Sequence, residues 1–200
     1  MLNQNKLAII LSKLKELEKK DVFLEQYQTN SEIAAKVVWW AYMQNDIEDK
    51  VIADLGCGNG IFGIGCLFLD AKKVYFIDKS KEAIKISKEN YKGLKNGVFV
   101  NKSVKDFNEK VDVVIENPPF GVQKEHADRE FLEQAFKISD IIYSFHKIES
   151  EKFINSFCRD NNFIAKKIFV FDFPLKKTQK FHKKELYKVK VGVWRLNKIC

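Results

Sequence analysis

No stretch of this chain approaches the roughly 18 consecutive apolar residues of a membrane span, and its first residues lack the apolar block and cleavage site of a secretory signal. These absences predict a soluble, cytoplasmic protein with no membrane partner. Cys57, Cys66, Cys158 and Cys200 are widely separated, and His126, His146 and His182 stand alone. No metal-ligand spacing exists, so reduced thiols and no metal are expected. Arginine is scarce: only Arg129, Arg159 and Arg195 stand among 35 basic residues. Bidentate contacts to base edges are correspondingly few. Internal repeats and low-complexity linkers are missing as well.

What is present is a chain of 200 residues, 46% of them hydrophobic, enough for one α/β unit with its own core. The net charge of +8 is localised, because residues 160–200 hold eleven Lys or Arg against Asp160, Asp172 and Glu185, while residues 1–159 balance at 24 of each sign. A basic C-terminal face points to a polyanion such as nucleic acid, met through phosphate contacts. The competing reading is a lysine-rich surface that is merely solvated, as in Lys/Glu-enriched thermophile proteins.

Leu7, Ile10, Leu11, Leu14 and Leu17 recur at helical spacing and predict a helix over 4–19. Residues 24–29 are irregular and polar-aromatic, after which Thr29 or Asn30 can cap a helix running through Trp39, Trp40 and Tyr42. From Val51 onward strands alternate with helices. Strands are predicted at 51–55, 73–77, 97–101, 111–116, 140–145, 163–173 and 186–196, with helices near 61–70, 80–94, 129–139 and 149–160. Such alternation implies an α/β, seven-stranded, mostly parallel sheet with helices on both faces. Only Pro174 and a lysine-rich loop separate the last two strands, so they should close the sheet as an antiparallel hairpin.

Two loops carry chemistry. The apolar run at 111–116 opens into Asn117-Pro118-Pro119-Phe120-Gly121, at the strand end where open α/β sheets place their sites. A planar NH2 group has a delocalised, weakly nucleophilic lone pair. The Asn117 side-chain carbonyl and the Pro118 backbone carbonyl can both accept from it, Pro118 and Pro119 stiffen the loop, and Phe120 offers a flat stacking face. A plain strand-ending turn is the bland alternative. The second loop is Asp54-Leu55-Gly56-Cys57-Gly58-Asn59-Gly60. A dinucleotide fingerprint would require glycine where Ile61 stands, whereas Asp54 suits a ligand with a cationic end, such as the amino and sulfonium groups of S-adenosylmethionine. Asp78, closing the next strand, is placed for two ribose hydroxyls. Helix capping or solvation is the alternative for both acids.

With both loops in hand, the chain resembles class I S-adenosylmethionine-dependent methyltransferases, Rossmann-like enzymes of the amino-methylating Asn-Pro-Pro-Phe type. More narrowly, it resembles the small-subunit ribosomal RNA adenine-N6 methyltransferases, the family of methyltransferase-like protein five and its archaeal relatives. Family-specific likeness lies in Leu24-Glu25-Gln26-Tyr27-Gln28-Thr29, Tyr143-Ser144-Phe145-His146-Lys147 and Lys180-Phe181-His182-Lys183-Lys184. The resemblance implies one methyltransferase domain over 1–200, with N-terminal helices and a cofactor-covering segment in 1–48 and the catalytic core in 49–200. It further implies that Gln26 and Thr29 close over S-adenosyl-L-methionine, that Gly56, Asn59 and Ile61 line its methionine side, that Gly58 of the same loop also binds the cofactor, and that Asp78 holds its ribose. Where such families place an acid for the cofactor's adenine, this chain has Ser103 and Val104, with Asp106 a displaced substitute. His146, Lys147, Lys180, His182, Lys183 and Lys184 are implied to touch RNA, although His146 could instead close a strand end and the lysines could form a solvated loop.

The expected activity is methyl transfer to an exocyclic base amine, adenine N6 of ribosomal RNA first. Guanine N2, DNA adenine and a protein glutamine are the alternatives within the Asn-Pro-Pro group, and an RNA-binding module without activity is the alternative outside it. The third strand should lie at a sheet edge open to strand addition. The resemblance supplies a candidate occupant, a small zinc-binding methyltransferase activator protein.

Overall fold

A computed structural model describes residues 2–17, 29–119, 127–176 and 186–199. Its elements are α1 (Gln4–Leu11), α2 (Ser31–Met43), β1 (Val51–Leu55), α3 (Ile61–Leu67), β2 (Lys73–Ile77), α4 (Lys81–Asn90), β3 (Gly97–Val100), β4 (Val113–Glu116), α5 (Ala127–Ile138), β5 (Ile141–Lys147), α6 (Glu151–Asp160), β6 (Phe163–Lys176) and β7 (Leu186–Lys198). The seven strands form one sheet in the order β3-β2-β1-β4-β5-β7-β6. The first five are parallel, while β7 runs antiparallel to both β5 and β6. The mostly parallel sheet and its closing hairpin are therefore as expected, and β3 lies at an edge.

The central strands are apolar on both sides because helices cover both faces. One core cluster joins α1, α2 and α3 to Ile52, Phe76, Ile115, Tyr143 and Phe145. The other joins α5 and α6 to Ala53, Leu55, Ile77, Val114, Ile142 and Trp194. Along β5 the pleat sends Tyr143 and Phe145 to the first cluster and Ile142 to the second, and alternation puts Ser144 and His146 on the same face as Ile142. Gly192, paired with His146, leaves room for the Trp194 ring, which meets the His146 ring edge-on at 5.9 Å.

Of the boundaries that differ from the sequence expectation, two have a visible cause. The helix predicted over 4–19 ends at Leu11, where the Ser12 N–H closes on the Ala8 carbonyl. Beyond it the Lys15 backbone is taken by tertiary partners: its N–H donates to Asn90 Oδ1 at 2.8 Å, and its carbonyl accepts from Asn59 and Asn90, both at 3.1 Å. These side-chain amides replace the intrahelical bonds that periodicity alone would assign. The strand predicted from Val111 begins at Val113, since the Val111 N–H goes to Ile138 and the Asp112 carboxylate takes the Val51 N–H. Asn30, not Thr29, caps α2, through a 2.7 Å bond from the Glu32 N–H.

Candidate active site

β2, β1 and β4 are adjacent, so the residues leaving their C-terminal ends meet. β1 runs into the glycine loop, and the N–H groups of Gly56 and Cys57 donate to the Ile77 carbonyl at 2.8 and 2.9 Å, tying the loop to the end of β2. Gly60 has φ 83°, and a Cβ there would lie 2.6 Å from Ser87 Oγ, so only glycine makes this turn without displacing α4.

Asp54 is 2% exposed, and its Oδ2 accepts from the Gly63 N–H at 2.9 Å. The capping alternative thus holds for one oxygen of Asp54. Asp78 accepts from Gly58 N–H at 3.0 Å and from Ser80 N–H at 2.8 Å. Burial pushes both carboxyls upward; for Asp54 the Gly63 N–H pulls back, the charge of Asp78 adds, and the result is about 7. Two desolvated acids flanking a glycine loop fit a ligand that brings a cationic end and hydroxyl donors. That is the donor set S-adenosylmethionine requires, so the residues present fit the cofactor.

Among the other expected cofactor residues, the Asn59 side chain is committed to the Lys15 carbonyl. Ile61 is buried in the core as the first residue of α3, which leaves backbone for lining. Ser103 is half-buried ahead of a short 3-10 turn whose first residue, Val104, is buried, while Asp106 is exposed. Gln26, Phe120, Lys180, His182, Lys183 and Lys184 lie outside the described residues.

Thr29, released from capping by Asn30, is buried and accepts from Asn117 Nδ2 at 3.0 Å. This bond fixes the amide so that its carbonyl is left over: Asn117 Oδ1 is buried and has no hydrogen-bond partner among the described residues. A buried acceptor without a donor costs about 1–3 kcal/mol, and its position follows the end of β4. Pro118 is buried and Pro119 half-buried beside it.

Lys147 closes β5, half-exposed, at the same end of the sheet. His146 is 1% exposed, so in this arrangement its ring serves a buried network and not an outer surface. Ser144 Oγ lies 2.7 Å from Glu116 Oε1 and 2.6 Å from His146 Nε2. The far ring nitrogen, Nδ1, is 3.7 Å from Asp128 Oδ2 in the first turn of α5. Glu116 and Ser144 escaped the sequence reading, although a carboxylate ending an apolar strand and a Ser-x-His alternation on the next were visible signals.

The family model of the methyltransferase small domain matches residues 28–139. An uncharacterised protein of Methanocaldococcus jannaschii is 34% identical across 100% of this chain and 96% of its own length. METTL5 of Danio rerio, an rRNA N(6)-adenosine-methyltransferase, is 32% identical over 89% of this chain and 90% of that protein. Among solved structures, a candidate RNA methyltransferase of Pyrococcus horikoshii superposes with a TM-score of 0.90, at 40% identity over 100% of both chains.

Proposed function

The chain belongs to the methyltransferase small domain family, and from that premise we propose that it transfers a methyl group from S-adenosylmethionine to N6 of an adenine in ribosomal RNA. The observation that carries this reading is the unpartnered, buried carbonyl of Asn117, an acceptor held in place by Thr29 and lacking only an N–H donor. An exocyclic amine supplies that donor. The likeness to METTL5 over nearly the full length names the amine as adenine N6.

When bound, S-adenosylmethionine supplies an electrophilic methyl on a cationic sulfur. The chain's own residues bind and orient. Asp78 takes the ribose hydroxyls, Asp54 faces the cationic end, and the loop from Gly56 to Gly60 lets backbone approach closely. Asn117 Oδ1 and the Pro118 carbonyl accept from the amino group, favouring its pyramidal form and aiming its lone pair. Phe120 stacks on an unpaired or flipped-out base. A strong general base is unnecessary, because the sulfur leaves neutral and the proton can depart to water afterwards.

The lysines around His182 are assigned to phosphate contact, and replacing Lys176, Lys177, Lys180, Lys183 and Lys184 by Gln should flatten the salt dependence of RNA binding while sparing cofactor affinity. β3 offers a half-buried edge to strand addition, and the proposed occupant is a small zinc-binding activator protein. Co-expression that yields neither a complex on size exclusion nor a higher melting temperature removes that partner. The function itself is tested by incubating labelled cofactor with total RNA, DNA and protein fractions, followed by nucleoside analysis. Label is expected in N6-methyladenosine from ribosomal RNA; label in N2-methylguanine, DNA or glutamine overturns the assignment.

A further inference from the structure

Directly behind Asn117 lies a chain of polar groups that the transfer step does not use. Glu116, the last residue of β4, is fully buried between Leu55 of β1 and Ser144 of β5. The Ser144 hydroxyl touches both Glu116 Oε1, at 2.7 Å, and His146 Nε2, at 2.6 Å. A hydroxyl has one hydrogen to give. If neither partner carried a proton at its contacting atom, one of these two short contacts would set lone pair against lone pair. One proton is therefore shared by the three groups. Two atoms at the ends of this relay, Glu116 Oε2 and His146 Nδ1, are buried without a hydrogen-bond partner among the described residues.

We propose that Glu116, Ser144, His146 and Asp128 act as one positioning unit whose single shared proton sets the working posture of Asn117. With the proton on Glu116, its carboxyl donates to Ser144, Ser144 donates to His146 Nε2, and the neutral ring carries its hydrogen on Nδ1, facing the Asp128 carboxylate. Every charge is then opposed or absent. On deprotonation the Glu116 proton passes through the Ser144 hydroxyl to His146 Nε2 while the Nδ1 proton leaves past Asp128 to solvent, a net loss of one proton, and the hydroxyl turns to the Glu116 carboxylate. The ring is then the Nε2–H tautomer, and its Nδ1 lone pair faces the Asp128 charge. A buried, ionised Glu116 also demands water, and the strand end that carries Asn117 gives way.

The surroundings favour the first state. Burial pushes Glu116 up to about 8; the Ser144 hydrogen bond works against this, and the Asp128 charge with it. Burial holds the His146 ring below its ordinary value, with Asp128 acting in the opposite sense. From α6 the Cys158 thiol faces Glu116 and is itself pushed upward, to about 12. From β7, among the described residues, the edge of Trp194 meets the His146 ring. Lys147, next along β5, points to the other face by alternation.

The effect on rate rests on the reading of Asn117 given above; the proton arrangement does not, and the experiment keeps the two apart. Nitrogen-15 imidazole NMR of the full chain reads the His146 tautomer directly. The expected result is Nδ1–H at about pH 6.5 changing to Nε2–H above about pH 9, and no change in the Glu116→Gln variant, whose amide donates to Ser144 permanently. In parallel, kcat on ribosomal RNA should fall above about pH 8 in the wild type and stay level in Glu116→Gln. Ser144→Ala should lower kcat about tenfold at every pH with KM for the cofactor unchanged. An Nε2–H ring at low pH, a tautomer change that persists in Glu116→Gln, or a Glu116→Gln variant as impaired as Ser144→Ala overturns the proposal. Should ribosomal RNA not be methylated at all, the functional reading fails while the tautomer still decides the relay.

Discussion

Tyr143 and Ser144 are neighbours on β5 whose side chains leave opposite faces of the sheet, and the polar clusters they enter differ in how fully they are satisfied. On one face Tyr143 donates its hydroxyl to Asp46 Oδ2, and Arg195 reaches the same oxygen through Nε at 2.8 Å and the other through Nη2 at 3.3 Å. The remaining guanidinium nitrogen, Nη1, bonds Asn197. Both carboxylate oxygens are used, and the cluster ties the turn after α2 to β5 and β7. On the other face Glu116 Oε2 and His146 Nδ1 have no hydrogen-bond partner among the described residues, and Asn117 Oδ1 stands equally bare at the end of β4. Completed networks stabilise, whereas incomplete ones cost stability and are found where a ligand or a proton completes them. The first cluster is a staple. The second belongs to the proposed working site.

The largest effect should separate the two clusters outright. Asn117→Ala is expected to lower kcat by about 10²–10³, with cofactor affinity within about twofold and the melting temperature unchanged. A matching loss of melting temperature would place Asn117 with the staple. Next, Asp46→Ala leaves the half-buried Arg195 and the buried Tyr143 without their acceptor and should cost about 3 kcal/mol in a urea titration, while the folded fraction keeps its kcat. If Ser144→Ala costs as much stability, the contrast between the faces is gone.

A third effect concerns Asp54. Its carboxyl, pushed up to about 7 by burial, must ionise to hold a cationic ligand, so protons compete with S-adenosylmethionine below that point. Calorimetric affinity should weaken about tenfold for each pH unit below about 7, and Asp54→Asn should bind more weakly with no such slope. The smallest effect is on stability at Glu116. Its ordinary value of 4.5 is raised to about 8, so the folded state retains a proton that the unfolded chain has released. The stability this contributes is complete below 4.5 and is lost as pH rises through the folded value. Glu116→Gln should therefore melt above the wild type near pH 9, with the gap closing toward pH 5; a constant gap would mean that Glu116 is ionised throughout.

Strand positions were legible because parallel strands buried on both faces leave unbroken apolar runs, and β1 and β2 fall where those runs do. The site loops were legible for a similar reason. Gly56, Gly58 and Gly60, and then Pro118 and Pro119, restrict backbone locally, and local restriction is written in the residues themselves. Which side chains would be consumed by the fold was not. Asp54 capping α3, Asn59 and Asn90 holding the Lys15 backbone, and Asn30 freeing Thr29 for Asn117 all depend on groups far apart in the chain. His146 shows the limit most clearly: the family resemblance implies a contact to RNA, yet alternation on β5, with Gly192 opposite leaving room for Trp194, turns its ring inward onto Ser144 and Asp128. By itself the sequence determined the sheet, its closing hairpin and the two loops, because these follow from periodicity and backbone restriction. Only the tertiary structure decided which polar atoms were left without partners, because a hydrogen bond is spent or spare only once every competing donor and acceptor has been brought within reach.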